Sequence, residues 1–243
     1  MPEWAPNSQQ LVFASDRDDA SGVYDIFVVN RDGTGLDNLT NSNNRNDLDP
    51  HWSADSTKIV FTSDISLDPA AINYISTVNA DGSNKTDLFT NINGGNFEPR
   101  WIPNDSKISF IRQFGNSCLF TMNPDGSNAV CTIDFTTVDH VSLYEWNSTG
   151  SQMLLFLYPD PFDSTTNLIN YDVATENMVF LASNTHREQY SWSPDDSQIV
   201  FADPSSGDRE IYTINSDGTD KINVTESLNS DNYAPDWSPV PIP

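Results

Sequence analysis

His51 stands directly before a tryptophan, and the same slot before later tryptophans is filled by Arg100, Glu145, Ser191 and Asp236. Asp49 and Glu98 lie two residues ahead of the first two of these. A slot that stays polar at each recurrence is suited to a wet surface, and paired carboxylates there offer oxygen ligands to a calcium-like cation. Asp49, His51, Glu98, Arg100, Glu145 and Asp236 therefore form the candidate binding set, against the plainer reading of a solvated rim of mixed charge. No EF-hand loop or other dedicated metal motif supports the cation, so no cofactor or metal is assigned. The segment from Asp16 to Asp19 superficially resembles a calcium loop and reads better as a solvated turn. Catalytic signatures are missing: no G-x-S-x-G elbow presents a nucleophile, and His51, His140 and His186 have no zinc spacing with the two cysteines. The expectation is a protein that is not an enzyme.

Cys118 and Cys131 flank an Asp-Gly turn. If Met122 pairs with Ser127 across that turn, the two cysteines face each other directly, close enough for a disulfide. The matching positions elsewhere hold Asp25 with Asn38 and Glu210 with Asn223, so this face is expected to be wet. A disulfide there points to the periplasm or the cell exterior.

The elements that must position these residues follow from an internal period. All six tryptophans, Trp4, Trp52, Trp101, Trp146, Trp192 and Trp237, fall at intervals of 48, 49, 45, 46 and 45 residues. After each turn that follows a tryptophan comes a β-branched and aromatic run, such as Leu11–Ser15, Ile59–Ser63, Ile108–Arg112 and Ile199–Asp203. A loop of variable length leads to a second run. Four of the five second runs end in an Asp-Gly hairpin signal, at Asp32-Gly33, Asp81-Gly82, Asp125-Gly126 and Asp217-Gly218, and the fourth repeat has Asp172 with VATEN instead. A third run closes each repeat. With the tryptophan segment counted, each repeat holds four strands, a to d, and no stretch has sustained helical periodicity. Pro50, Pro99 and Pro235, two residues before their tryptophans, belong on an edge strand because proline cannot donate to a ladder.

The run Trp-Ser-Pro-Asp-x-Ser, then Ile-Val-Phe, then Ile-Tyr-x-x-Asn-x-Asp-Gly resembles the WD-repeat-like propeller units of the TolB family. Ile199–Phe201 with Glu210–Gly218 is the best copy, and the resemblance covers nearly the whole chain. It departs where the family's glycine after Trp-Ser-Pro-Asp is Asp or Ser in most copies. The expected fold is all-β, a single propeller domain over 1–243 with five four-stranded antiparallel blades, repeats beginning near Trp4, Trp52, Trp101, Trp146 and Trp192. A closing strand over 231–239 would supply the innermost strand of the first blade. The alternative is part of a six-bladed TolB-like ring.

Charge narrows the partners. Eleven Lys and Arg stand against 35 Asp and Glu, a formal net charge of −24, which disfavours nucleic acid and anionic membrane surfaces. No apolar run approaches the roughly 18 residues that span a bilayer, and the N-terminus carries no signal-peptide pattern. In such a blade the a–b and c–d turns lie on one face and the b–c and d–a loops on the other. The first set is short and repeated; the second differs in every repeat, and binding residues concentrate on such loops. The resemblance implies a binding scaffold for a protein or peptide, and the loops put its site on the variable face and the channel mouth beneath it; the oligomeric state is not read from the sequence, with a monomer favoured. Two alternatives stand beside it. One is the propeller domain of a larger exported hydrolase. The other is a carbohydrate-binding module using channel-mouth acids and aromatics such as Tyr144 and Tyr190.

Overall fold

The computed structural model describes the chain except residues 1, 19–21, 43, 65–72, 91–94, 115, 136–139, 159–165, 184–189, 205–206, 227–230, 233–234 and 238–243. Two compact units divide it, Met1–Thr136 and Thr137–Pro243.

The first unit holds three sheets. Blade 1 is β1 (Glu3–Trp4), β2 (Gln10–Ser15), β3 (Asp25–Asn30) and β4 (Asp37–Asn38); blade 2 is β5 (Asn46–Trp52), β6 (Lys58–Asp64), β7 (Asn73–Asn79) and β8 (Thr86–Thr90). Blade 3 is β9 (Gly95–Trp101), β10 (Ile108–Phe114), β11 (Asn116–Met122) and β12 (Val130–Asp134). The second unit holds blade 4, with β13 (His140–Trp146), β14 (Gln152–Tyr158), β15 (Asn167–Asp172) and β16 (Met178–Ser183). It also holds blade 5, with β17 (Tyr190–Trp192), β18 (Gln198–Asp203), β19 (Glu210–Asn215) and β20 (Ile222–Asn223). Each sheet is a four-stranded antiparallel meander in chain order. The fold is a five-bladed β-propeller, and no helix occurs among the described residues.

Blade 1 takes its inner strand from its own N-terminal segment, since β1 pairs with β2 through Glu3↔Val12 and Trp4↔Leu11. The segment expected to close that blade lies partly outside the described residues, and its described parts, 231–232 and 235–237, are in no strand.

Consecutive blades within a unit share an apolar seam built on the later blade's tryptophan. Trp52 packs with Val12, Ile26, Val28 and Leu39 of blade 1 and with Ile59 and Phe61 of its own blade. Trp101 does the same between Val60 and Ile75 on one side and Ile108 and Phe110 on the other. Trp192 sits among Leu154, Phe156, Leu168 and Leu181 of blade 4. Burying an aromatic of this size removes about 150–250 Å² from water, a gross gain of roughly 4–6 kcal/mol.

The turns are fixed by polar side chains. In the Asp-Gly hairpins Asp32, Asp81, Asp125 and Asp217 each accept the backbone N–H and hydroxyl of the Thr or Ser two residues on, with hydroxyl contacts of 2.6 Å. Those hydroxyls and N–H groups hold all four carboxyls below the ordinary range. Asp172 makes the same pair of contacts with Thr175 in the longer turn of blade 4. Gly126 meets a further demand: its φ is +83°, and a Cβ there would lie 2.4 Å from the carbonyl oxygen of Leu88 in blade 2.

The a–b turns explain where the repeat departs from its glycine. The fourth residue after each tryptophan is left-handed in all five blades: Ser8, Ser56, Asp105, Gly150 and Asp196, with φ between 56° and 70°. Asp105 accepts the backbone N–H groups of Ala54 (2.7 Å) and Asp55 (3.1 Å) from the preceding blade, and Asp196 accepts Ser148 N–H (2.9 Å) and its hydroxyl (2.6 Å). Ser56 likewise accepts Asn7 N–H at 3.2 Å. The side chain thus turns a conformational cost of about 1–2 kcal/mol into a clamp between blades.

Replacing Asp105 with alanine keeps the strained backbone and removes both charged acceptor contacts, so denaturant unfolding should report a loss of about 1.5–3 kcal/mol. Asp105→Gly relieves the strain and should lose measurably less; equal losses for the two variants would exclude the clamp.

Candidate functional site

The inner strands β1, β5 and β9 lie side by side in the first unit and carry the polar slot. Across β5 and β6 the ladder runs Leu48↔Thr62 and then His51↔Val60, so one extra residue is taken up on β5; β9 does the same between Phe97↔Ile111 and Arg100↔Ser109. These bulges fall on Asp49-Pro50 and Glu98-Pro99. Asp49 and Glu98 have φ of 52° and 54°, a conformation uncommon for either residue type and disfavoured further before proline. A bulge bends the strand and re-aims the residue that follows, here His51 and Arg100.

The structure brings together His51, Arg100 and a residue outside the expected set, Glu3. His51 Nε2 lies 3.6 Å from Glu3 Oε1. His51 Nδ1 accepts the backbone N–H of Trp101 at 3.3 Å, and the Glu3 carboxylate accepts the N–H of Trp52. Glu3 and His51 thereby each cap the backbone of the next blade's tryptophan. The signal for Glu3 was in the sequence, since it precedes Trp4 as His51 precedes Trp52.

Although 33% of the Glu3 side chain and 26% of that of His51 stay accessible, crowding by the neighbouring strands sets their protonation. Desolvation pushes Glu3 up to about 7, opposed by the Arg100 charge and the Trp52 N–H. Desolvation, reinforced by Arg100, holds His51 well below its ordinary value. With Nδ1 accepting from Trp101, the neutral imidazole carries its proton on Nε2, toward Glu3.

The remaining expected residues sit as follows. Asp49 and Glu98 occupy the bulges, each half-buried. In the second unit Glu145 precedes Trp146 on β13, and its carbonyl accepts the indole N–H of Trp192 at 3.4 Å. The Ser191 carbonyl accepts that of Trp237 at 3.1 Å, and Asp236 is exposed, its carboxylate accepting the Trp237 backbone N–H at 2.8 Å. His51 pairs one step from the Ser53–Lys58 turn connection, so the slot lies at the a–b turn end of the inner strands, opposite the end where the b–c and d–a loops attach. Most of those variable loops lie outside the described residues. Tyr144 is only 2% exposed, so it presents no free ring face for a sugar, and the Tyr190 ring is tilted at 57° to that of Phe156 with centres 4.9 Å apart. Among the described residues no group of three His, Cys, Asp or Glu side chains is close enough to hold a metal.

Cys118 and Cys131 form a disulfide with a Cα–Cα distance of 5.9 Å. They are not directly opposite: a bulge at Thr132 pairs Cys131 with Phe120 and Cys118 with Asp134. Nor is the face wet at the strand-c position, where Asp25 and Glu210 are 4% and 2% exposed and Cys118 is 9%. Asp25 accepts Asn38 Nδ2 (2.8 Å), the Thr40 hydroxyl (3.1 Å) and Ser42 N–H (2.7 Å), while Glu210 accepts the Thr225 hydroxyl and Asn232 Nδ2. The disulfide is blade 3's version of a buried polar tie from strand c to strand d and the segment after it.

A model of the TolB beta propeller domain matches residues 72–241. No curated protein sequence matches the chain. Among solved structures, TolB from Acinetobacter baumannii aligns with a TM-score of 0.71 at 16% identity, over 91% of this chain and 53% of its own. The tricorn protease aligns at 0.67 and 14% identity, over 92% and 26%, and an oligogalacturonate lyase in complex with manganese at 0.58 and 13%, over 91% and 75%. At these identities the likeness shows the fold, and the chain spans about half the length of that TolB.

Glu3 makes stability depend on pH. Its folded value near 7 exceeds the 4.5 of the free side chain, so its contribution is complete below pH 4.5 and is lost as pH rises through 7. The Glu3→Gln variant should therefore gain in unfolding midpoint relative to the parent between pH 4.5 and 8; a constant difference across that range would refute the assignment. In the disulfide, Cys118→Ser with Cys131→Ser should cost about 2–4 kcal/mol in denaturant unfolding, and reduction of the parent should reproduce most of that loss.

Proposed function

Because the chain belongs to the TolB β-propeller family, we propose that it is a non-catalytic scaffold that recognises a protein or peptide partner. Recognition uses the face carrying the b–c and d–a loops, in the periplasm or outside the cell. The observation that carries this reading is the unequal use of the two ends of the blades. At the a–b and c–d end, turn after turn is committed to structure, through Asp-to-hydroxyl locks and clamps onto the preceding blade. At the other end the connections differ in length and composition from repeat to repeat, as loops selected for recognition do.

Further support is chemical. The His51 imidazole, which faces the Glu3 carboxylate, is engaged through Nδ1 and neutral, which suits packing better than proton transfer. The disulfide suits an oxidising compartment. A second reading, the propeller domain of a larger exported hydrolase, is favoured by one observation: the chain aligns with only 26% of the tricorn protease and 38% of a Mycobacterium tuberculosis puromycin-hydrolyzing peptidase.

The test is cross-linking mass spectrometry of partners retained by the immobilised chain, repeated with the b–c connections at 65–72 and 159–166 replaced by Gly-Ser linkers of equal length. Retention should fall at least tenfold and the cross-links should map to the loop end. Retention that survives both replacements but fails with altered a–b turns would reverse the assignment of faces.

A further inference from the structure

The seams between blades are capped where strand a begins and strand b ends, and the caps differ in charge. Between blades 1 and 2, Asp47 is fully buried and accepts the Ser63 hydroxyl (2.5 Å), the Ser42 hydroxyl (2.7 Å) and Lys85 Nζ (2.8 Å). The Lys85 ammonium also lies 5.6 Å from the Phe61 ring centre. Between blades 4 and 5, Asp203 is 1% exposed and meets Lys221 Nζ at 2.5 Å, with that ammonium over Tyr212 and Phe201 at 4.5 and 5.4 Å. Both seams thus pair a buried acid with a lysine three residues after the Asp-Gly turn.

Between blades 2 and 3 the pair is broken. The position of Asp47, five residues before the tryptophan, is Asn96, and the position of Lys85 is Ala129. The cation is Arg112 on β10, the Cα partner of Asn96 and two residues beyond Phe110 on the face that packs on blade 2. Its guanidinium lies 5.3 Å from the Phe120 ring centre, and its Nε is buried without a hydrogen-bond acceptor. Asn96, fully buried, donates its amide to the Asn73 carbonyl of blade 2 at 3.0 Å and leaves Oδ1 without a donor. On blade 2, two residues beyond Val60, which packs against blade 3, Thr62 is 3% exposed with an unpartnered hydroxyl. Among the described residues Arg112 has no carboxylate within ion-pair distance. A buried guanidinium Nε without an acceptor is costly, and the fork geometry of the group matches a carboxylate.

We infer that the end of the seam between blades 2 and 3 is a binding notch for a small carboxylate, with Arg112 supplying the charge and the Thr62 hydroxyl a second donor. Asn96 is the wall that, by lacking the charge of Asp47, leaves the notch open to an external anion. The assignment is independent of the partner proposed above.

Acetate is the probe. The unfolding midpoint of the whole chain is followed at neutral pH in sodium acetate and in sodium chloride of equal ionic strength, for the parent, Arg112→Gln and Asn96→Asp. The parent should rise saturably in acetate, by a few degrees beyond chloride at a hundredfold excess over the dissociation constant. Both variants should lose that increment. Asn96→Asp, supplying the carboxylate internally, should also melt higher than the parent without acetate, so the test survives poor folding of Arg112→Gln. Equal midpoints for the parent in the two salts, or an Asn96→Asp variant that melts lower and still responds to acetate, would overturn the notch.

Discussion

A four-stranded antiparallel sheet of five- to seven-residue strands cannot bury both faces alone, so each blade depends on the apolar face it shares with its neighbour. Within each unit that shared face is organised by an indole: Trp52, Trp101 and Trp192 are 1%, 4% and 7% exposed and each is surrounded by side chains of two blades. One aromatic per repeat supplies area in a rigid form with little side-chain entropy to lose. The period of the chain is therefore the period of its seams, and a change in loop length between strands leaves the seam intact as long as the tryptophan, the Ile-Val-Phe run and the closing leucine keep their places.

The polar chemistry serves the same seams from one end. Left-handed Asp105 and Asp196 hold the preceding blade's turn, and Gly126 lets its hairpin approach the Leu88 backbone. Glu3 and His51 cap the backbone of the next tryptophan. Strain at Asp49, Glu98, Asp105 and Asp196 is repeated from blade to blade at matching positions, so it belongs to the architecture and needs no catalytic explanation. This also accounts for the departure of the repeat from its usual glycine: where glycine would relieve the backbone, Asp or Ser accepts strain and gains an inter-blade hydrogen bond.

Much of this was legible in the sequence because it depends on residue type at fixed spacing. The tryptophan ladder, the Asp-Gly hairpins and the edge-strand prolines gave five meanders, and the cysteines gave the disulfide. What was not legible depended on backbone geometry that residue type does not announce. Asp49 and Glu98 carry no mark of a positive φ, so the bulges they form, and the aim of His51 and Arg100, could not be read. The same holds at Thr132, whose bulge moves Cys131 off the position opposite Cys118. Glu3 lies in a segment, Pro2 to Pro6, too short to read as a full strand, although the β1 ladder needs only two pairs. The buried Asp25 and Glu210 looked solvated because carboxylates usually are; here hydroxyl and amide donors from strand d and the loop after it compensate them.

The distribution of charge follows from the same seams. With 11 cations against 35 acids, the placement of each cation matters, and among the described residues five lie over aromatic rings: Arg17 on Phe13, Arg45 on Tyr74, Lys85 on Phe61, Arg112 on Phe120 and Lys221 on Tyr212. A cation over a ring both covers apolar surface with its stem and gains from the ring's quadrupole. Lys85 and Lys221 in addition neutralise an acid that would otherwise be buried alone. Acids not used this way are concentrated on exposed turns, where Ser and Thr hydroxyls keep them ionised; Asp195, held down to about 2 chiefly by the Ser193 hydroxyl, is the extreme case. The negative field of the molecule is therefore set largely at its turns, whereas Lys85, Arg112 and Lys221 sit at the seams. An anion approaching this protein is repelled nearly everywhere, and the places able to hold one are those where a seam cation has no internal acid to answer it.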